Sequence, residues 1–145
     1  MEAGPGIVDD LVELAIHPPR QSELGRIPPD EFEYALSRVL ALIGARDAAG
    51  VLQRVGPLIG IPAARPTIIE VIGAIGAQEG LAWIAPLVQA PGLTEEEATR
   101  LACAIGEING PQAHALLELL RMHTPAGHRR AIAEIEIALE LLRAR

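Results

Sequence analysis

The chain has 145 residues, half of them apolar, and a formal charge of −7, with twelve basic residues that are all arginine. A domain of this length buries roughly 68–70% of the surface its unfolded chain exposes, so it needs no staple. The negative field repels a phosphate backbone; the lack of lysine excludes lysine-based catalysis, and Phe32, Tyr34 and Trp83 are too few for a base-stacking platform.

The opening "MEAGPGIVDD" is acidic and lacks the basic and apolar regions of a signal peptide. A helix is expected over 6–17 as an N-terminal cap. It is followed by "HPPRQSELGRIPP" from His17 to Pro29, which is bounded by two Pro-Pro pairs. This loop reads as a rigid linker, with a binding role as the sharper alternative.

Asp30 stands before "EFEYALSRVL" as a cap for a helix over 30–44. Further helices are expected over 47–59, 65–76, 78–89, 94–108, 111–122 and 126–143. Pro57 and Pro86 fall late in theirs and should bend or end them. In "VIGAIGAQEG" the glycines do not match a dinucleotide fingerprint or a P-loop, and no Lys or Thr follows to serve phosphate. Gly73 and Gly76 are instead expected where helices approach closely and where a left-handed cap is needed. The β-branched "TIIEVIGAI" could read as a strand. Ile68, Ile69, Ile72 and Ile75, however, fall at i, i+1, i+4 and i+7, which draws one helical stripe. In "TEEEATRL", Thr94 and Glu97 have the spacing of a capping box, with three acids at the positive end of the helix dipole. They read as a solvated helix start, the alternative being an arginine-rich partner. No apolar run approaches the roughly 20 residues that span a bilayer. Cys103, the single cysteine, excludes an internal disulfide or a CxxC motif, fits a reducing cytoplasm, and reads as a small buried apolar residue.

The chain also repeats itself. "LALIGARDAAGVLQRV" from Leu40, "IGAIGAQEGLAWIAPL" from Ile72 and "IGEINGPQAHALLELL" from Ile105 align with offsets of 32 and 33. Leu40, Ile72 and Ile105 coincide, as do Ile43, Ile75 and Ile108, then Leu52, Ile84 and Leu117, then Val55, Leu87 and Leu120. Each unit is a helix, a turn carrying Gly or Asn, and a second helix.

This pattern resembles the short HEAT-like repeats also called phycobilisome-lyase-type HEAT repeats, with "AIGEINGPQAHALLELL" and "AIGAQEGLAWIAPLV" as the best-matching stretches. The resemblance covers about residues 30–143. It implies an all-α fold, an α-α superhelix of about three hairpins (30–61, 62–93 and 94–125), plus an N-terminal cap over 1–29 and an unpaired final helix over 126–145. The second helices of such a solenoid line a concave binding surface. Relatives with catalytic activity carry marks that differ from those here. The di-iron hydroxylases use His-Glu dipeptides, whereas His17, His114, His123 and His128 are followed by Pro, Ala, Thr and Arg. The HEAT-like DNA glycosylases need a basic, aromatic groove, and nothing marks the tetrapyrrole pocket of a bilin lyase.

The expected function is therefore a non-enzymatic one: a small cytoplasmic, bacterial-type adaptor, scaffold or regulatory module that binds another protein and neither nucleic acid nor membrane. The surface expected to bind is formed by Gln53, Ala85 and Glu118 with Pro57, Gln89 and Met122. No catalytic set and no cofactor is expected, since Ser22 and Ser37 are the only serines. The alternative is a ligand- or metal-holding enzyme or carrier, with His114, Glu118 and His123 as weak candidates short of a full ligand set. A further alternative is a self-assembling unit, a homodimer through the last helix. There Ile132, Ile135, Leu139 and Leu142 can bury while Ile137 and Leu141 remain on another face. Trp83 aligns with Val51 and Leu116 and is expected to pack in the core. Arg129 and Arg130 run against the dipole of the last helix and should face the acidic preceding hairpin or a partner.

Overall fold

Proline, glycine and capping side chains set the helix boundaries in the computed structural model, which describes residues 10, 13–14, 29–44 and 46–144. Seven α-helices are found among the described residues, and no strand. The first, α1 (Pro29–Gly44), starts one residue before the expected cap, so Asp30 lies in the first turn and not at the N-cap. Asp47 caps α2 (Ala48–Val55) by accepting from the Gly50 amide at 3.1 Å. Because Pro57 cannot continue the α-helical ladder, the chain tightens after Val55 into a 3-10 turn, Gly56–Gly60.

The second pair repeats this arrangement. Helix α3 (Arg65–Ile75) has Pro66 in its first turn, where a missing amide hydrogen costs nothing. Helix α4 (Glu79–Ile84) gives way at Pro86 to a second 3-10 turn, Ala85–Gln89. The third pair is α5 (Glu95–Ile108) and α6 (Ala113–His123), and α7 (Arg129–Arg143) follows. Helices α6 and α7 start two and three residues later than expected. The proposed cap helix over 6–17 lies outside the described residues except at Asp10, Glu13 and Leu14, which are helical; the loop over 17–28 lies outside them too.

Helix α3 packs against α1, α5 against α3, and α7 against α5, and these three are the most extensive helix contacts. The shorter members of the pairs form a second set. Helix α4 meets α2 and the first 3-10 turn, while α6 meets the second 3-10 turn, α5 and α7. Two of the four aligned apolar sets are buried alike in every pair, Leu40, Ile72 and Ile105 with Leu52, Ile84 and Leu117; in the other two, Ile43, Ile75 and Leu87 are half-buried while Ile108, Val55 and Leu120 are buried. Burying each such side chain is worth roughly 1.5–3 kcal/mol. Ile135 and Leu139 of α7 complete this core. Trp83 is half-buried and packs on it, its ring lying over Gly56.

Both glycines at the centre of "VIGAIGAQEG" are explained. Gly76 ends α3 with φ 73°, a left-handed conformation that costs a residue with a Cβ. Gly73 faces α5 so closely that a Cβ there would lie 2.7 Å from both Cα and Cβ of Ala104. "TIIEVIGAI" is accordingly helical, as its apolar spacing requires.

Polar links cross the same helix contact. Arg65 Nη1 of α3 reaches Glu97 of α5 at 3.1 Å, and Arg100 of α5 reaches Glu70 of α3 at 2.9 Å. Arg65 Nε also donates to the Ile59 carbonyl at 2.7 Å, tying three successive segments together. Between the turns of the second and third pairs, the Gln78 amide donates to the carbonyls of Ile108 and Asn109. The expected capping box is present: Thr94 Oγ1 accepts from the Glu97 amide at 3.1 Å, and Glu97 accepts from the Thr94 amide at 3.0 Å. The acidic start is solvated only in part: Glu96 is exposed and Glu95 half-buried, whereas Glu97 is turned inward. Glu97 is 7% exposed and paired with Arg65, Glu96 pairs with Arg100, and Glu95 accepts from the Arg130 amide. The arginine-rich partner of these acids is the chain itself.

Candidate functional site

The six expected surface residues fall on the second members of the three pairs. Gln53 lies in α2 and Pro57 in the first 3-10 turn; Ala85 opens and Gln89 closes the second 3-10 turn; Glu118 and Met122 lie in α6. Gln53, Pro57, Gln89 and Met122 are exposed, whereas Ala85 and Glu118 are half-buried. The elements that carry them touch in succession, from the first 3-10 turn to α4 and from the second 3-10 turn to α6. Met122 is 80% exposed, the most exposed of the large apolar side chains described. Internal alignment of the three pairs selected these six positions; it did not disclose that Arg121 holds Glu118 at 3.0 Å.

The weak metal candidates do not converge. His114 Nε2, on an exposed side chain, lies 3.8 Å from Oε1 of the half-buried Glu118 one helical turn away. His123, nine residues after His114, falls on the opposite side of α6, where its Nδ1 lies 2.9 Å from the Leu119 carbonyl. Among the described residues, no group of three or more His, Cys, Asp or Glu side chains could hold a metal ion.

Cys103 corrects an expectation: it is exposed, not buried. It lies two residues from Leu101, and about 200° of helical rotation turns it from the buried stripe of Leu101, Ala104 and Ile105 to the outer face. There its thiol donates to Glu134 of α7 at 3.4 Å. Local desolvation, followed by the charges of Glu134, Glu107 and Glu70, pushes the thiol up to about 11. Glu107 on the same face is exposed but raised too, by local desolvation and by Glu70, against the opposing pull of Arg38.

A thiol titrating near 11 has little thiolate at neutral pH. The higher basicity of that thiolate offsets only part of the loss, so alkylation by iodoacetamide at pH 8 should run roughly 20-fold slower than for an ordinary thiol of pKa about 8.5. The rate should keep climbing past pH 10, and Glu134→Gln should raise it at pH 8. A plateau near pH 9 would contradict this assignment.

Helix α7 presents Ile137, 54% exposed, and Leu141, 55% exposed, while Ile135 and Leu139 are buried and Ile132 and Leu142 half-buried. That division follows the expected one. Arg130 meets the preceding pair through its backbone amide, which donates to Glu95 at 3.0 Å, while the side chains of Arg129 and Arg130 are exposed. Among the described residues, no helix is long and apolar enough to cross a membrane. Comparisons with family models, with curated proteins and with solved structures find no match to this chain.

Proposed function

We propose that the three helix pairs and α7 form a HEAT-like α-solenoid, and that the chain is a non-enzymatic module binding another protein along the row formed by its second helices. The succession of contacts α1 to α3 to α5 to α7 supports the solenoid reading, since each pair covers its apolar face with the next. So does the equal burial of the aligned positions 40, 72 and 105.

The observation that carries the binding surface is Met122. An unbranched, polarizable side chain left 80% exposed adapts to varied apolar partners, and it stands in line with Gln89 and Pro57 beside the polar Glu118. An apolar centre with polar neighbours is the composition of a protein contact.

The test is a variant carrying Gln53→Arg, Gln89→Arg and Glu118→Arg. Gln53 and Gln89 are exposed, and the Glu118–Arg121 pair lies at the surface, where such a bridge is worth about 0–1 kcal/mol. The thermal melt should therefore shift by only a few degrees, while recovery of the partner on the immobilised chain falls at least about tenfold, the equivalent of 1.4 kcal/mol. Undiminished recovery, or loss of the fold, would count against the surface.

A further inference from the structure

A cleft of about 310 Å³ opens between residues 89–93, which lead into α5, and residues 123–128, which lead into α7. Pro91, Leu93, Ala98 and Pro125 give it apolar walls, and two imidazoles, His123 and His128, stand in its lining. The neighbouring Thr124 hydroxyl is already committed, donating to the Leu120 carbonyl at 2.6 Å. We propose that this cleft binds a carboxamide, and that its two imidazoles read the donor and the acceptor of that group from opposite tautomers.

The tautomers follow from what each Nδ1 meets. His123 Nδ1 lies 2.9 Å from the Leu119 carbonyl, which can only accept, so the ring carries its proton on Nδ1 and leaves Nε2 as a bare acceptor. His128 is the reverse case. Its Nδ1 is buried and has no hydrogen-bond partner. A proton placed there would be a donor sealed from water with nothing to receive it, a worse state than an idle lone pair. The proton of the neutral ring therefore sits on Nε2, which becomes a donor.

One cleft thus offers an acceptor from His123 and a donor from His128. A carboxamide answers both: its carbonyl accepts from His128 Nε2–H, and its N–H donates to His123 Nε2. The prolines and Leu93 take the apolar body attached to it. Gln89 joins this cleft to the second-helix row. On the binding-module reading, on which this point rests, the amide is supplied by an Asn or Gln side chain of a partner, because a primary amide presents its carbonyl and an N–H on one edge whereas a trans backbone peptide points them in opposite directions.

The tautomers can be read on the isolated full chain, with no partner present, by long-range ¹H–¹⁵N correlation of the imidazole nitrogens at pH 7.5. Protonation of His123 at Nδ1 and of His128 at Nε2 is expected; the same tautomer on both rings overturns the proposal. Titration then follows with isovaleramide as probe, and with methyl isovalerate and isoamyl alcohol as matched controls. The amide should shift both Nε2 resonances and bind at least tenfold tighter than either control. His128→Phe should abolish that preference while leaving the backbone amide spectrum of the core intact. Equal affinity for amide, ester and alcohol, or no binding, overturns the proposal and leaves the adaptor reading standing on its own test. A blocked peptide without a terminal primary amide, N-acetyl-Ala-Gln-Ala-N-methylamide, separates the two sources of the same chemistry: binding tenfold tighter than isovaleramide assigns a partner's side-chain amide, and no gain assigns a free carboxamide compound.

Discussion

Gly73→Val is expected to cost about 3 kcal/mol or more, at the top of the range for overpacking, and to lower the melting midpoint by about 10 °C. The reason is where the new atoms would go. Gly73 is buried in α3, and a Cβ would sit 2.7 Å from Ala104 Cα, a backbone atom of α5 that no rotamer change can move. The two helices would have to separate, and this contact is among the most extensive in the chain. Gly73→Ala should cost less, and Ala74→Val, at the half-exposed next position, should stay within about 0.5 kcal/mol. Urea unfolding of the three variants measures the series. Equal stability of Gly73→Val and Ala74→Val would mean that the helices do not pack at this distance.

Arg65→Met is expected to cost about 2 kcal/mol at pH 7, because removing one partner of a part-buried ion pair strands the other, Glu97, the more deeply buried of the two. Glu97 would keep its Thr94 contacts but lose the Arg65 guanidinium, and the Ile59 carbonyl would lose its donor. The pH dependence separates these two losses. Burial alone would raise the Glu97 carboxyl, but the Thr94 hydrogen bonds and then Arg65 outweigh it and hold the group below the ordinary glutamate range. A carboxyl depressed by folding contributes stability that is present above its unfolded value of about 4.3 and is lost as pH falls through the folded value. The gap between wild type and Arg65→Met should therefore narrow as pH falls through the folded value of Glu97, toward the roughly 1 kcal/mol of the Ile59 hydrogen bond. Urea unfolding at pH 7 and pH 3 measures both gaps. A gap independent of pH would assign the whole cost to that hydrogen bond and to packing.

These two sites differ in how far the sequence disclosed them. Gly73 was legible, because its helix is apolar at helical spacing and because a glycine that matches no ligand-binding fingerprint is left with a packing role. The prolines that end α2 and α4, the capping box at Thr94 and the left-handed Gly76 were legible for the same reason: each acts within a few residues of chain. The Arg65–Glu97 pair was not. Its partners are 32 residues apart, and a run of three glutamates gives no local sign that one of them is turned inward. Cys103 is a different kind of miss. Its position opposite Leu101 on the helix was available from the spacing, but residue type was given more weight than phase. The placing of His123 and His128 in the lining of one cleft depends on the path of two loops between helices, which periodicity does not encode. The recurring row of residues 53, 57, 85, 89, 118 and 122 came from internal alignment; the exposure of Met122 within it came only from the structure.

The most direct test of the binding account is site-specific photo-crosslinking in extract from the source cells. Probes are placed singly at Gln53, Gln89 and Met122 on the second-helix row, and at Glu107 and Cys103 on the outer face of α5, all of them exposed. The account predicts discrete adducts with another polypeptide from the first three positions and none from the last two. Adducts from α5 alone, from both faces equally, or from no position would contradict it.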